Sequence, residues 1–163
     1  MNAKPRIPME LRLARQNRGE PSGLRHPRIS DREDLTILLY AAFRGTIDDE
    51  DETFADALAE IDRTFAGDYG RLLLDCSFVV ERGDFLASAC LIGLLGPDGV
   101  PFVIFSMTRP EARRQGLART LLQESINALI DRGDDRLRLI VTRGNAPAEA
   151  LYRSLGFQPI RSE

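Results

Sequence analysis

Apolar residues along this chain follow two periods. Where they recur every three or four positions they predict helices, and where they alternate or run continuously they predict strands. Leu35, Leu38, Leu39 and Ala42 fall on one helical face and predict a helix over residues 31–44, stopped by Gly45. Ser30-Asp31-Arg32-Glu33 before it has the form of a capping box, with the serine hydroxyl and glutamate carboxylate meeting orphan amides. Phe54, Leu58, Ile61 and Phe65 share a face of a second helix, capped by Thr53 and stopped by Gly67. Three extended runs follow, at residues 73–81, 84–94 and 101–108, the first two joined at Arg82-Gly83 as a hairpin. Their near-continuous apolarity predicts a sheet covered on much of both faces. A stripe of Ala118, Leu121, Leu122, Ser125 and Leu129 predicts a helix over 116–132, ended by Gly133.

Residues 136–142 (RLRLIVT) alternate and then turn continuously apolar, as a central strand would. Asn145-Ala146-Pro147 opens a last helix, since proline suits a first turn, and Leu151, Tyr152 and Leu155 line one side of it. Gly156 ends that helix, and 157–161 read as a final short strand. At the other end, Leu11 and Leu13 alternate in a short strand over 10–14, followed by a polar connection with Gly and Pro. The order is β-α-α-β-β-β-α-β-α-β: helices on a mixed central sheet, an α/β or α+β sandwich without repeats.

Composition narrows the function. A chain of 163 residues has the size of one ordinary domain, here 1–163 with 1–28 as an N-terminal extension. Apolar residues at 43% and charged ones at 29% exclude disorder. A net charge of −3 lacks the basic footprint of a nucleic-acid binder, so no nucleic acid is expected as partner. No apolar run approaches the ~20 residues of a membrane span, and no apolar signal core opens the chain, so a cytoplasmic protein without membrane contact is expected. Cys76 and Cys90 form no CxxC, and His26, the one histidine, sits between prolines in the N-terminal tail. A cysteine–histidine nucleophile pair therefore has little support, and no metal site is expected. Counting outward from the hairpin brings Cys76 and Cys90 near each other, as two buried thiols or, alternatively, a regulatory disulfide. The five acids of TIDDEDE, Asp48 to Glu52, read as a solvated loop or helix start, with an acidic lip for a cationic amine as the alternative.

The stretch RPEARRQGLART, Arg109 to Thr120, joins a strand to a helix and carries four arginines. Pro110 helps to end the strand. Gly116 marks the helix entry, where amides without intrahelical partners sit at the positive end of the dipole and suit an anion. No GxxxxGK[ST] or GxGxxG occurs, which removes the Walker and dinucleotide cradles. Taken alone, the stretch reads equally well as an arginine-bearing helix start.

It does not stand alone. Arg113-Arg114-Gln115-Gly116-Leu117-Ala118 between strand and helix resembles the acyl-CoA-binding motif Q/R-x-x-G-x-G/A of the GNAT (Gcn5-related) N-acetyltransferase family. Thr108-Arg109-Pro110-Glu111 looks like that family's V-x-P-E, with threonine replacing valine. NAPAEALYRSLGF, Asn145 to Phe157, matches its N-x-x-A/x-x-x-L-Y-x-x-x-G-F signature. The resemblance extends from about residue 29 onward and is weakest before it.

It implies a GNAT-like mixed central sheet of six to seven strands flanked by about four helices, and acetyl-CoA as co-substrate with no metal. The pyrophosphate would lie on backbone amides from Arg114 through Gln115, Gly116 and Leu117 to Ala118, with Arg119 one residue further. Arg113 fits the motif, the arginine side chains are secondary, and Arg109 is simply solvated. The pantetheine would follow Ser106, Met107 and Thr108, the Met107 amide facing the thioester oxygen. Asn145 contacts the pantetheine or merely caps the last helix. Tyr152 matches the general acid, its alternative being to pack the sheet. No motif fixes a general base; Glu81, Asp75, Glu52 and Glu111 are candidates, or a water relay. Tyr40, Phe43, the loop over 45–52 with Asp48 and Glu52, and Phe54 would meet the acceptor. That acceptor is a small-molecule or protein amine, its positive charge favoured by the acidic run: a polyamine, an amino sugar or a lysine. Homodimers are frequent in the resembling family. The competing readings are a GNAT-fold acyl-CoA sensor or interaction domain that transfers nothing, and a protein-binding adaptor.

Overall fold

The computed structural model describes residues 4–17 and 19–161. In chain order its strands are β1 Arg6–Arg12, β2 Leu24–Arg25, β3 Arg71–Leu72, β4 Phe78–Arg82, β5 Phe85–Leu94, β6 Pro101–Thr108, β7 Arg136–Thr142 and β8 Gln158–Pro159. The helices are α1 Arg32–Phe43, α2 Phe54–Ala66, α3 Leu117–Arg132 and α4 Ala146–Leu155. The strands form one sheet in the order β2-β4-β5-β6-β7-β1-β8, with β3 added against β5. Neighbours run antiparallel except β6 and β7, which are parallel. Eight strands exceed the expected six to seven because β2 and β3 are two residues long, too short to leave an apolar period.

Helices cover both faces, as the apolar runs require. Leu35, Leu38 and Ile61 of α1 and α2 pack on Val79, Leu86 and Leu91. On the other face Leu121, Leu122 and Ile126 of α3 pack with Met9, Leu137 and Leu139. Thr53 caps α2 as its position suggests: its hydroxyl accepts from Asp56 N at 3.1 Å and Asp56 accepts from Thr53 N at 2.8 Å.

Three local expectations are corrected. The first strand covers Arg6–Arg12 rather than 10–14, and lies between β7 and β8. Met9 and Leu11 face the core, while Pro8 presents its carbonyl to Ile160 N at 2.9 Å. The prolines at 5 and 8 disguise the strand in the sequence. Residues 73–81 are not one strand, because a 3-10 turn at Leu74–Cys76 interrupts them. The Ser77 hydroxyl donates to Leu73 O at 2.7 Å and accepts from Ile92 N at 2.9 Å, so a side chain replaces a ladder bond. The capping box at Ser30 does not form. Asp31 accepts from Arg28 N at 2.7 Å and from both arms of the Arg25 guanidinium at 2.8 Å, holding a 3-10 turn ahead of α1. Cys76 and Cys90 are buried free thiols.

One irregularity positions the site. The β5–β6 register slips between Leu91 and Ile92, leaving Ile104 as an extra residue. A Cβ at Gly93 would come within 2.7 Å of Ile104 Cδ1, so the glycine makes room for the bulge. β6 and β7 are paired at Phe102 and Arg138. Past that point their next residues, Val103 to Ser106 and Leu139 to Thr142, line a cavity between them.

Candidate active site

Two cavities open at the split between β6 and β7. The larger, of about 740 Å³, reaches Tyr40, Phe43, Arg44, Glu50 and Glu52 on the side of α1 and α2. The smaller, of about 430 Å³, reaches Met107, Thr108, Arg113, Ala118 and Pro147 on the side of α3 and α4. Phe43, Ile47, Asp48, Ser106, Asn145, Ala148 and Tyr152 line both. The split therefore joins two compartments at a neck holding one phenol and one carboxylate.

Tyr152 lies on α4, 8% exposed, with its ring edge-on to Phe157 at 5.8 Å between centroids. Burial pushes its phenol up to about 12; the Ser106 hydroxyl beside it offsets part of this, and the Asp48 charge adds to it. The group thus stays protonated through neutral pH. Packing and placement at the neck are not alternatives here, since one side chain does both. Asn145 also does two things: its Oδ1 accepts from Ala148 N at 3.4 Å as a helix cap, and its Nδ2 donates to Asp48 Oδ2 at 3.1 Å.

The strand edge facing the split can be read from the ladder. Arg109 N donates to Ala87 O at 2.9 Å, and antiparallel alternation then turns the Met107 amide toward Ala89 of β5. The Ser106 and Thr108 amides point the other way, toward the split. The Met107 side chain is buried at 3% exposure against α1 and α2.

The motif loop lies outside the smaller cavity except for Arg113 and Ala118. Arg114 and Gly116 have positive φ, 64° and 74°, and α3 starts directly after Gly116. A Cβ at Gly116 would meet nothing within 4 Å, so the helix start is open to an approaching ligand. Leu117 sends its side chain into the core. Three other side chains of the stretch have protein partners: Arg113 donates to Ala42 O at 2.6 Å, Gln115 accepts from Arg82 at 2.7 Å, and Arg119 donates to Ser154. Arg109 is not simply solvated; it stacks on Phe85 at 4.5 Å and donates to Leu86 O at 3.1 Å.

On the larger side Tyr40 is edge-on to Phe54 at 5.8 Å, with the Arg44 guanidinium over its other face at 4.7 Å. Tyr40, Phe43, Asp48 and Glu52 line the cavity, whereas Phe54 stands behind Tyr40. The acidic run divides its work. Asp49 accepts from Gly45 N and Asp51 N, bonds that hold its carboxyl below the usual range. Asp48, Glu50 and Glu52 reach the cavity. Of the base candidates, Glu52 is there, while Glu81 pairs with Arg25, Glu111 pairs with Arg109, and neither they nor Asp75 line either cavity. Sequence reasoning missed Lys4 and Arg6, which line the larger cavity because β1 runs beside β7. Lys4 Nζ donates to Ile47 O and ties the N-terminal segment to the acidic loop. Nothing in the local pattern announces that pairing.

Among the described residues no His, Cys, Asp and Glu cluster is placed to hold a metal ion, and no helix is long and apolar enough to cross a membrane. The model of the acetyltransferase (GNAT) family matches residues 33–157. The chain is 35% identical over 106 residues to the [ribosomal protein bS18]-alanine N-acetyltransferase of Escherichia coli K12, covering 65% of this chain and 69% of that protein. Its fold is like that of a GCN5-related N-acetyltransferase from Sphaerobacter thermophilus (TM-score 0.69, 22% identity), covering 95% of this chain and 48% of the other, so it spans about half of that protein. It is also like that of the PaiA N-acetyltransferase from Thermoplasma acidophilum in complex with coenzyme A (TM-score 0.66, 19% identity), covering 86% and 91%.

Proposed function

The chain belongs to the GNAT acetyltransferase family and is an acyltransferase of that type, and from this premise we propose that it moves the acetyl group of acetyl-CoA to a primary amine by direct attack on the thioester. The observation that carries the reading is the neck: a buried, protonated phenol between two cavities, beside the motif loop and the start of α3. Residues 1–163 act as one catalytic domain, because β1 completes the same sheet that carries the neck.

The residues suit acetyl-CoA. The open backbone at Gly116, with the amides of the motif loop and the first turn of α3 from Arg114 to Arg119, offers donors and a positive dipole end to a pyrophosphate. The Ser106 and Thr108 amides, turned into the split, bind the pantetheine as an added strand would. The oxyanion contact expected of Met107 passes to these two amides, since its own faces β5. Asn145 holds the neck open between α4 and the acidic loop. Tyr152 keeps its proton until the sulfur departs and then delivers it.

The acceptor enters from the larger cavity. The name of the E. coli relative specifies a protein alanine amine, and this cavity carries both acids and the cations Lys4, Arg6 and Arg44. We therefore place a protein N-terminus first, ahead of a polyamine or amino sugar, because a peptide brings carbonyls and charges of both signs. The test is thiol release from acetyl-CoA with a short alanine-initiated peptide, spermidine and an amino sugar. Release with one of them, lost in Tyr152→Phe while CoA still binds, supports transfer. Tight CoA binding with no release from any amine would turn the reading toward a sensor.

A further inference from the structure

We propose that Asp48 is the general base that takes the proton from the acceptor ammonium. The proposal rests on the acetyltransferase reading and assigns the one role that no motif specifies. Among the residues lining both cavities, Asp48 alone carries a carboxylate and Tyr152 alone a phenol. A base must reach the amine and an acid the sulfur, and the reacting atoms sit where the compartments meet. The other candidates stand elsewhere: Glu81 and Glu111 are paired with arginines away from both cavities, Asp75 lines neither, and Glu52 lines only the larger one.

The Asp48 carboxylate is held in place. Asn145 Nδ2 donates to Oδ2 at 3.1 Å and leaves Oδ1 for the substrate. Lys4 anchors the preceding carbonyl, Ile47 O, and Asp48 N donates to Thr46 Oγ1 at 3.2 Å. The charged and titratable groups lining the same cavities come from every neighbouring element: Lys4 ahead of β1 and Arg6 on it, Arg44 after α1, Glu50 and Glu52 from its own loop, Asp56, Glu60 and Arg63 from α2, Arg113 from the motif loop and Tyr152 from α4. The Asp48 charge is felt at Tyr152, where it favours the protonated phenol. One carboxylate thus receives a proton and helps its partner to keep one.

The step balances. Asp48 accepts one proton from the ammonium, and the freed lone pair forms the new N–C bond at the thioester carbon. Tyr152 gives its proton to sulfur as the C–S bond breaks, and the tyrosinate takes the second proton from nitrogen. Asp48 then sheds its proton through the larger cavity. The products are one amide, one thiol and one released proton.

The experiment compares wild type, Asp48→Asn and Asn145→Ala with acetyl-CoA and the alanine-initiated peptide. A base is needed most where the amine is protonated, and an α-amine titrates near 7.7–8.0. Asp48→Asn should lose about 100-fold in kcat at pH 6, with the deficit closing above the amine's own pKa. Asn145→Ala, which frees the carboxylate without removing it, should lose less. For Asp48→Asn, CoA binding by calorimetry and the melting temperature should match wild type, excluding misfolding. A readout independent of turnover is the Asp48 carboxyl carbon resonance, which should move when the peptide is added to CoA-bound wild type. A raised KM with unchanged kcat at every pH, or a peptide that binds without moving that resonance, overturns the base and leaves acetyl transfer standing. Wild type that binds CoA and acetylates no amine removes both readings.

Discussion

Gly116 and Arg114 sit two residues apart at φ 74° and 64°, and one carries no side chain. The difference decides what each can do for a phosphate. Valine at Gly116 would be strained by about 1–2 kcal/mol, and its side chain would fill the open space in front of the α3 amides. Arg114→Ala removes one exposed cation, worth little at a surface. Calorimetry should therefore show Gly116→Val weakening CoA binding more than tenfold and Arg114→Ala only a few-fold. The opposite order would make the arginine, not the backbone, the main donor. Tyr152→Phe tests the neck by chemistry rather than binding: kcat should drop at least 100-fold with Kd for CoA unchanged. The sign of its shift sets the pH behaviour. A phenol raised to about 12 stays almost fully protonated up to about pH 10, so kcat should show no alkaline fall attributable to Tyr152 between pH 7 and 10. Gly116 is legible as a glycine at a strand-to-helix turn, a local signal, whereas Tyr152 stands out only through the resemblance of Asn145 to Phe157 to the GNAT signature. Sequence reasoning could not locate the amide directions at Met107, which depend on strand pairing.

The elements differ in how much of themselves they announce. α2 and α3 have caps, stops and one apolar face, and β7 alternates, so their bounds match the pattern closely. β1 contains one proline, Pro8, and follows another, Pro5, and its alternation becomes visible only beside its partners. Its place between β7 and β8 carries consequences that a terminal extension would lack. Met9 is fully buried there, so Met9→Ala should cost about 3 kcal/mol by transfer and cavity together. A denaturant titration should show the midpoint falling with its slope unchanged. If the loss stays below 0.5 kcal/mol, β1 is not part of the cooperative core. The acidic loop is the complementary case, legible as composition but not as division of labour. Asp49 closes the loop on itself while Asp48 faces the neck, and only the folded backbone separates neighbours of the same charge.

At the scale of the whole molecule, two cavities meeting from opposite faces imply an order of events. On the proposed reading donor and acceptor occupy compartments that share α1 and α4 at the neck, with α2 lining only the larger and α3 only the smaller, so both can be bound before chemistry begins. A covalent acetyl-enzyme would need a nucleophile at the neck, and the thiols do not supply one. Cys90 is fully buried, with burial pushing its thiol up to about 12; Cys76 is buried as well and lies outside both cavities. A raised thiol is a scarce thiolate at neutral pH, and the thiolate is the attacking form. Ser106 reaches the neck but lacks the histidine that would activate it, since His26 Nδ1 donates to Ser77 O at 2.9 Å. Both observations support the proposed direct transfer within a ternary complex. Initial rates with acetyl-CoA and the alanine-initiated peptide varied together should give intersecting double-reciprocal lines. Intact mass after incubation with acetyl-CoA alone should show no added acetyl group. Parallel lines together with an acetylated enzyme would instead require a nucleophile at the neck, and Ser106 would be the first residue to replace.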